Sequence, residues 1–544
     1  MSGQVIVRWG VRVDHWRLEP RRFLARAASR SRSRHWRFLM RPVLLSCIPA
    51  GFGLLSLSCL AASPQMPPVD ASSPIEKPVY ATLGQYEATD VIEVKFRSGD
   101  VTRLRAGLWH SQRRGALDAL VAFAPGQGII ERAEPLFTLD TGERAALEAD
   151  ASGMPALHQW FRLHLRQGED LVAAVNRLNA LDEVEVAYPA PLPVPMSAGL
   201  PVADDTTSPP PASPNLEGRQ MYALPAGQGG IDAVHARSIP GGDGSGVRVA
   251  DIEYSWNWQH EDLKKLTVAG TWIRQGSRIT DPFNDNGHGT AVLGEMVGDA
   301  NGYGVRGLVN GATPHYVNVT SPETGYNPAN AVVLASRKLS AGDVILIEQQ
   351  FPGPSPCTGF VAPEWIPSIY DAVSSAVRRG IHVVQTAGNG NVNLDDTRCF
   401  GSPFPGGRPD SGSIIVGAGS PWPTAWCSMR QAARSRLGFS TYGRRVNVQG
   451  VGQCVTSTGY GDIYNGGGNA LYTGRFSGTS SSAPIVTAAV AALSGIAKAR
   501  GKTITPQAMR SLLVETGTPQ VGNTGHIGPL PDLRAAIERL DELP

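Results

Sequence analysis

The stretch FSGTSSSAPIVTAA, residues 476–489, places a glycine and a run of four hydroxyl residues, Thr479 to Ser482, shortly before a proline and a run of small apolar residues. Serine and threonine are favoured at helix N-caps and proline in the first helical turn, so the stretch predicts a helix over residues 483–493. A serine at such a helix start is also suited to be a nucleophile, because the helix N-terminus stabilises developing negative charge. Serine needs a base for this role, and the base needs an orienting carboxylate.

The candidate base is His288, in NDNGHGTAVLG at residues 284–294. It lies between two glycines at the start of a predicted helix. Gly287 and Gly289 allow close packing of the backbone around the imidazole, and Thr290 is expected to help cap the helix. A histidine is more often structural or exposed than catalytic, so this assignment depends on its occurrence together with the serine motif.

Two acids are candidates to orient the histidine, both in GVRVADIEYSWNWQHEDL at residues 246–263. Asp251 and Glu253 are two residues apart in a predicted strand, so their side chains point to the same face. Glu253 is nearer the carboxyl end of the strand, where the sites of parallel sheets gather, and its extra methylene adds about 1.5 Å of reach. The sequence therefore favours Glu253 and leaves Asp251 as the alternative acid.

The region 219–540 resembles the subtilisin family of serine peptidases. GHGT around His288 and GTS-x-x-x-P around Ser480 match the family's signatures, in the family's order of acid, histidine and serine. The resemblance implies a serine endopeptidase that acts through an acyl-enzyme, and TAGNGN puts Asn389 at the position of the family's oxyanion donor. An ordinary Asn-Gly turn is the alternative for Asn389. The family usually has Asp where this chain has Glu253.

Substrate contacts also depart from the family. Glu348, Gln349 and Gln350 follow the strand DVILI, where the family usually has Ser-Leu-Gly. The resemblance implies that these three residues bind substrate, with Gln350 narrowing a pocket and Glu348 favouring a basic side chain. The changed strand and the unusual acid leave a second hypothesis open, a catalytically inactive subtilisin-like binding protein. The α/β-hydrolases are disfavoured, because there the serine precedes the histidine.

Short apolar runs alternate with helical segments beyond residue 219, which predicts an α/β fold with a doubly wound, mainly parallel sheet over 219–544. Residues 64–190 mix strand and helix patterns and predict a small α+β domain, and residues 191–218 form a linker rich in proline and serine. The α+β domain resembles in architecture the propeptides of the same family. This resemblance implies an autoprocessed zymogen whose own propeptide is its inhibitor.

Residues 1–63 combine a basic extension with a short apolar run, which predicts a signal peptide and a secreted or cell-envelope protein. A lipid-modified Cys59 is the one route to a membrane that the sequence offers. The formal net charge of +2 gives no overall attraction to nucleic acid. The resemblance to the subtilisin family implies protein or peptide substrates as partners.

Export predicts disulfides among the remaining cysteines, with the pairs Cys357–Cys399 and Cys427–Cys454 preferred over the other pairings. The cysteines and histidines show no metal-ligand spacing, so no cofactor is expected; structural calcium stays open.

Overall fold

The structure is a computed structural model that describes residues 77–149, 153–196, 212–400, 408–540 and 542. All of them belong to one unit, Pro67–Pro544. The predicted signal peptide lies outside the described residues, as does most of the predicted linker.

The amino-terminal part is an antiparallel sheet of four strands with the order β2-β3-β1-β4. Its elements are β1 (Glu87–Phe96), β2 (Ile130–Pro135), helix α1 (Thr141–Ala149), β3 (Trp160–Leu165), helix α2 (Leu171–Asn179) and β4 (Val184–Pro191). Apolar side chains alternate along the strands and pack against α2, so that Val94, Leu163 and Val175 are completely buried. Three short strands (Thr102–Arg105, Leu108–Ser111 and Gly115–Ala116) form a separate antiparallel sheet between β1 and β2 in the chain.

The larger part has a seven-stranded sheet in which all neighbouring strands are parallel. In chain order its strands are β5 (Arg248–Glu253), β6 (Trp272–Ile273), β7 (Thr313–Asn318), β8 (Val344–Ile347), β9 (His382–Thr386), β10 (Ile414–Gly419) and β11 (Val448–Val451). Their order in space is β11-β10-β9-β8-β5-β7-β6. Because β9, β8 and β5 are neighbours and parallel, their carboxyl ends share one edge of the sheet, where the residues that follow them converge.

Helices cover both faces of this sheet. The longer helices of this part are α3 (Asn286–Val297), α4 (Pro328–Lys338), α5 (Pro367–Arg378), α6 (Thr479–Ala499), α7 (Pro506–Thr516) and α8 (Leu533–Leu540). One apolar core joins the sheet to α3, α6, α7 and α8, and a second core joins the opposite face to α4 and α5. Two cores on two faces confirm the predicted doubly wound α/β fold. Helix α6 is long and apolar enough to cross a membrane by composition, but its apolar window is wholly buried in this core.

The amino-terminal sheet packs on α4 and α5 through a buried polar and aromatic interface. Trp160 Nε1 donates a hydrogen bond of 2.9 Å to the Asp371 carboxylate of α5. The Glu93 carboxylate of β1 accepts bonds from Arg162 (2.7 Å) and Tyr188 (2.7 Å) in its own sheet and from Ser368 of α5 (2.9 Å). The two parts are therefore joined by directional contacts as well as by apolar burial.

Two disulfides hold loops of the larger part. Cys357 is bonded to Cys399 and Cys427 to Cys454, each with 5.9 Å between the Cα atoms. The preferred pairing predicted from the sequence is confirmed.

Candidate active site

Helix α3 places His288 in its first turn. The Asp285 side chain is the N-cap and accepts a hydrogen bond of 3.3 Å from the His288 backbone N–H. The expectation that Thr290 caps this helix is wrong. Thr290 lies inside the helix, where its hydroxyl donates to the Asn286 carbonyl at 2.6 Å and accepts the Asn257 N–H at 2.8 Å. An acid three residues before the histidine was the sequence signal for the cap.

Glu253, the last residue of β5, is bonded to the imidazole. Its Oε2 lies 2.6 Å from His288 Nδ1, and its Oε1 accepts the Tyr254 backbone N–H at 2.8 Å. A carboxylate can only accept here, so Nδ1 carries the proton and Nε2 of the neutral ring holds a lone pair. Gly289 makes this approach feasible, because a Cβ at that position would lie 2.8 Å from Glu253 Cγ and 2.5 Å from the Ser255 carbonyl oxygen.

The two groups alter each other's pKa. Burial alone would lower the pKa of His288, but the Glu253 carboxylate outweighs burial, and the pKa of His288 rises above its usual value. Burial raises the pKa of Glu253, and the neighbouring imidazole opposes this rise. His288 and Glu253 therefore form a hydrogen-bonded pair that is almost completely buried.

Asp251, the alternative acid, is buried two residues earlier in β5 and forms no hydrogen bond with the imidazole. Its Oδ2 accepts a hydrogen bond of 2.7 Å from Trp256 Nε1. Burial raises the pKa of Asp251 well above its usual value, and the charge of Glu253 adds to the effect. Burial thus favours the protonated form of Asp251 beside the indole.

Ser480 lies in the first turn of α6, two residues after Gly478. The Gly478 φ of 102° is in the region that favours glycine, and this conformation turns the chain into the helix. The predicted helix start at residue 483 is wrong, because Pro484 is accommodated inside the helix and the helix begins at Thr479. Within the described residues, Ser480 Oγ and His288 Nε2 are both buried and have no hydrogen-bond partner.

Asn389 follows β9 at the same edge of the sheet, and its amide is oriented by the start of α6. Its Oδ1 accepts bonds from the Thr479 N–H at 2.8 Å and the Thr479 hydroxyl at 3.0 Å. This leaves Nδ2 to point into the site, where it donates to the Met196 carbonyl oxygen at 3.3 Å. The residue is thus a directed amide donor rather than a free turn residue.

Glu348, Gln349 and Gln350 all follow β8, but the structure places them differently. Gln350 Nε2 donates to the Pro195 carbonyl oxygen at 2.8 Å, and its Oε1 accepts the Asn389 N–H at 2.9 Å. Gln349 Oε1 accepts the Tyr326 hydroxyl at 2.8 Å. Glu348 is completely buried beside Ser480 and His288.

The segment Val194–Met196, which continues the amino-terminal domain beyond β4, occupies the site. The Tyr254 hydroxyl bridges the backbone of Val194, accepting its N–H and donating to its carbonyl oxygen, each at 3.0 Å. Pro195 and Met196 also line a cavity of about 160 Å³ with His288, Tyr254 and four further residues, namely Glu253, Asp281, Phe283 and Asp285. Sequence reasoning missed Tyr254 and Met196, which carry no motif.

Two clusters of the described residues bring potential metal ligands together. Glu253, His288 and Glu348 offer two carboxylate oxygens and one ring nitrogen within 4.8 Å of one another. The hydrogen bond between His288 Nδ1 and Glu253 Oε2 already occupies one potential ligand atom of each of these two residues. In the second cluster, Asp396 lies near Cys357 and Cys399, whose sulfurs are joined in a disulfide and are not thiolate ligands.

The doubly wound sheet, the histidine bonded to a carboxylate and the serine at a helix start define a subtilisin-like serine peptidase. Residues 244–528 match the Subtilase family, and the chain belongs to this family. It is a serine endopeptidase of the subtilisin type.

Known relatives agree with this class. The chain is 25% identical over 266 residues to the major intracellular serine protease of Bacillus subtilis (strain 168), covering 48% of this chain and 73% of that protein. It is 27% identical over 309 residues to the extracellular serine proteinase of Thermus sp. (strain Rt41A), and the match covers 55% of this chain and 64% of that protein. Subtilisin DY of Bacillus licheniformis is 25% identical over 301 residues, which cover 55% of this chain and 94% of that one.

A solved structure supports the fold. Fervidolysin from Fervidobacterium pennivorans, described as a keratinolytic enzyme related to subtilisin, matches with a TM-score of 0.52 at 19% identity. The match covers 86% of this chain, which spans 64% of the length of fervidolysin.

Proposed function

We propose that the protein is a secreted zymogen of a serine endopeptidase whose triad is Ser480, His288 and Glu253. In acylation, Ser480 Oγ bonds to the scissile carbonyl carbon and His288 Nε2 takes the hydroxyl proton. The carbonyl electron pair moves to the oxygen, which Asn389 Nδ2 stabilises together with backbone amides of the helix start. His288 then gives the proton to the leaving amine, and water releases the acyl group by the same route in reverse.

The observation that carries this proposal is the position of Met196. Its carbonyl oxygen accepts from Asn389 Nδ2, the donor expected to hold the oxyanion, while Gln350 and Tyr254 hold the two preceding residues. The attacked carbonyl is the one in the oxyanion site, so we infer that the bond cut in maturation is Met196–Ser197. The preceding α+β domain is then the propeptide, and Val194–Met196 remains in the site as a product-like inhibitor.

The experiment is amino-terminal sequencing and intact mass of the secreted wild type and of Ser480→Ala. The wild type is expected to begin at Ser197, and Ser480→Ala is expected to keep the amino-terminal domain. An Ala variant that matures by itself at the same bond would exclude self-processing by Ser480. Labelling by a fluorophosphonate that is absent in Ser480→Ala would separately establish an active serine, whereas a mature wild type that is not labelled would support the inactive binding protein.

Secretion is part of the same proposal. The two disulfides are typical of an oxidising compartment, and the relatives include proteins named both intracellular and extracellular. We expect the mature enzyme in the culture medium of its host. Retention in the membrane fraction that is lost in Cys59→Ser would instead indicate a lipid anchor.

A further inference from the structure

A fourth side chain lies at the reacting groups of the active site. Glu348 directly follows β8 and is completely buried. One of its carboxyl oxygens, a ring nitrogen of His288 and an oxygen of Glu253 lie within 4.8 Å of one another. Ser480 faces the same carboxyl group without reaching the geometry of a full hydrogen bond, and within the described residues neither oxygen of Glu348 has a partner.

Among the residues that the structure describes, no cation pairs with this carboxyl. The ionisable groups that face it are Glu253 and Asp251 from β5 and Glu295 and His288 from α3, and His288 is already paired with Glu253. Burial raises the pKa of Glu348 well above its usual value, and the three neighbouring acids raise it further, while the Ser480 hydroxyl opposes the rise. A carboxyl group that is buried among acids and has no cation beside it favours its protonated form, whose O–H is a hydrogen-bond donor.

A neutral donor beside the nucleophile has a chemical use. When His288 removes the Ser480 proton, negative charge develops on Oγ before the bond to the substrate carbon is complete. A group that donates to Oγ stabilises that charge without changing its own protonation. An ionised carboxylate at the same place could not donate, would repel the developing charge, and would hold the His288 proton more tightly.

We propose that Glu348 is a further catalytic residue, which donates a hydrogen bond to Ser480 Oγ as the hydroxyl attacks the substrate. The proton stays on Glu348 throughout, and His288 remains the base. The proposal rests on Ser480 as the nucleophile. It gives the carboxyl a role in the chemistry, whereas the sequence led us to expect a role in selecting basic side chains.

The test compares Glu348→Gln, which keeps a donor of similar shape, with Glu348→Met, which has none. Peptide hydrolysis is measured on the matured enzymes from pH 5 to 10. Glu348→Gln is expected to keep kcat within a few-fold of the wild type. Glu348→Met is expected to lose about tenfold in kcat at unchanged KM, which is the effect expected from the loss of one hydrogen bond. Equal kcat values for Glu348→Gln and Glu348→Met would overturn the proposal.

The pH dependence gives a readout that a structural role would not move. In the wild type, kcat/KM is expected to fall on the alkaline side as Glu348 ionises, and this fall is expected to be absent in Glu348→Gln. Glu295 is the matched control, because it is also buried and, within the described residues, its carboxyl oxygens have no hydrogen-bond partner, but it does not belong to the cluster of Glu253, His288 and Glu348. Glu295→Gln should keep the wild-type pH profile; Glu348→Gln and Glu295→Gln profiles that both match the wild type would also count against the proposal.

The folding of the variants and the role of Ser480 as the nucleophile are tested in separate experiments. Thermal melting at each pH shows whether a variant is native where its activity is read, and if Glu348→Met does not fold, Glu348→Gln and its profile decide. Ser480→Ala distinguishes the two claims. Activity that survives in Ser480→Ala contradicts the proposed function. If activity is lost in Ser480→Ala while Glu348→Gln and Glu348→Met have the same kcat, only the role of Glu348 is contradicted.

Discussion

The identity of the triad acid can be decided by two isosteric substitutions. Glu253→Gln keeps the volume of the side chain but removes the charge that lies 2.6 Å from His288 Nδ1. The amide either offers its N–H₂ group, which forces the wrong tautomer, or its oxygen, which no longer stabilises the imidazolium. We expect a loss of about 10⁴-fold in the rate of peptide cleavage, or about 5 kcal/mol of transition-state stabilisation.

Asp251→Asn is the matched control, since Asp251 bonds Trp256 instead of the imidazole. The neutral amide oxygen still accepts from the indole, so we expect a change of less than tenfold. Glu253→Asp should lie between these two variants. Its carboxylate would retreat by about 1.5 Å, which lengthens the bond to roughly 4 Å unless the backbone moves.

The assay is the first-order rate of cleavage after Met196 when the full chain, with its disulfides intact, is diluted from denaturant. This intramolecular reaction needs no separate substrate and stays measurable when the variant is slow. Ser480→Ala gives the background rate, and circular dichroism confirms that each variant has refolded. A large loss in Asp251→Asn together with near wild-type cleavage in Glu253→Gln would refute the assignment of the acid.

Three further results are expected. Asn389→Ala should lower kcat for peptide hydrolysis by about 10²- to 10³-fold through loss of one oxyanion donor, while KM changes little. Gly289→Ala should cost about 10²-fold in kcat, because the added Cβ would meet Glu253 Cγ at 2.8 Å, whereas Gly287→Ala, with its nearest contact at 3.2 Å, should cost less. The acid limb of kcat/KM should lie above the ordinary histidine range, because Glu253 raises the pKa of His288 and the base must be deprotonated; Glu253→Gln should move this limb to lower pH.

The fold was largely predictable because its strands are local apolar runs. The run GIHVVQTAGN contains β9, and NPANAVVLASRKLSA contains α4, whose Asn327 cap and first-turn Pro328 are both visible in the sequence. The ends of the helices were less predictable where two local sequence preferences conflict. Proline usually marks the first turn of a helix, yet α6 begins before Pro484, because burial of its small residues outweighs one missing backbone hydrogen bond.

The candidate site was predictable only as far as its motifs extend. His288, Ser480 and Asn389 stand in distinctive contexts, but the choice between Asp251 and Glu253 needed three-dimensional placement. Strand alternation puts both acids on one face without saying which one the imidazole reaches. The positions of Glu348 and Met196 depend on neighbouring parallel strands and on a separate domain, and no local pattern encodes such long-range contacts.

The buried acids of the larger domain also govern how the folded state responds to protons. Burial raises the pKa values of Asp251, Glu295 and Glu348 well above the usual range, so the native molecule retains protons that the unfolded chain releases above about pH 4. A state that binds more protons is favoured as their concentration rises, and these three groups therefore contribute stability that is fully present in acid and is lost as pH climbs through their native pKa values. These three buried acids therefore lower the stability of the folded state in alkali rather than in acid.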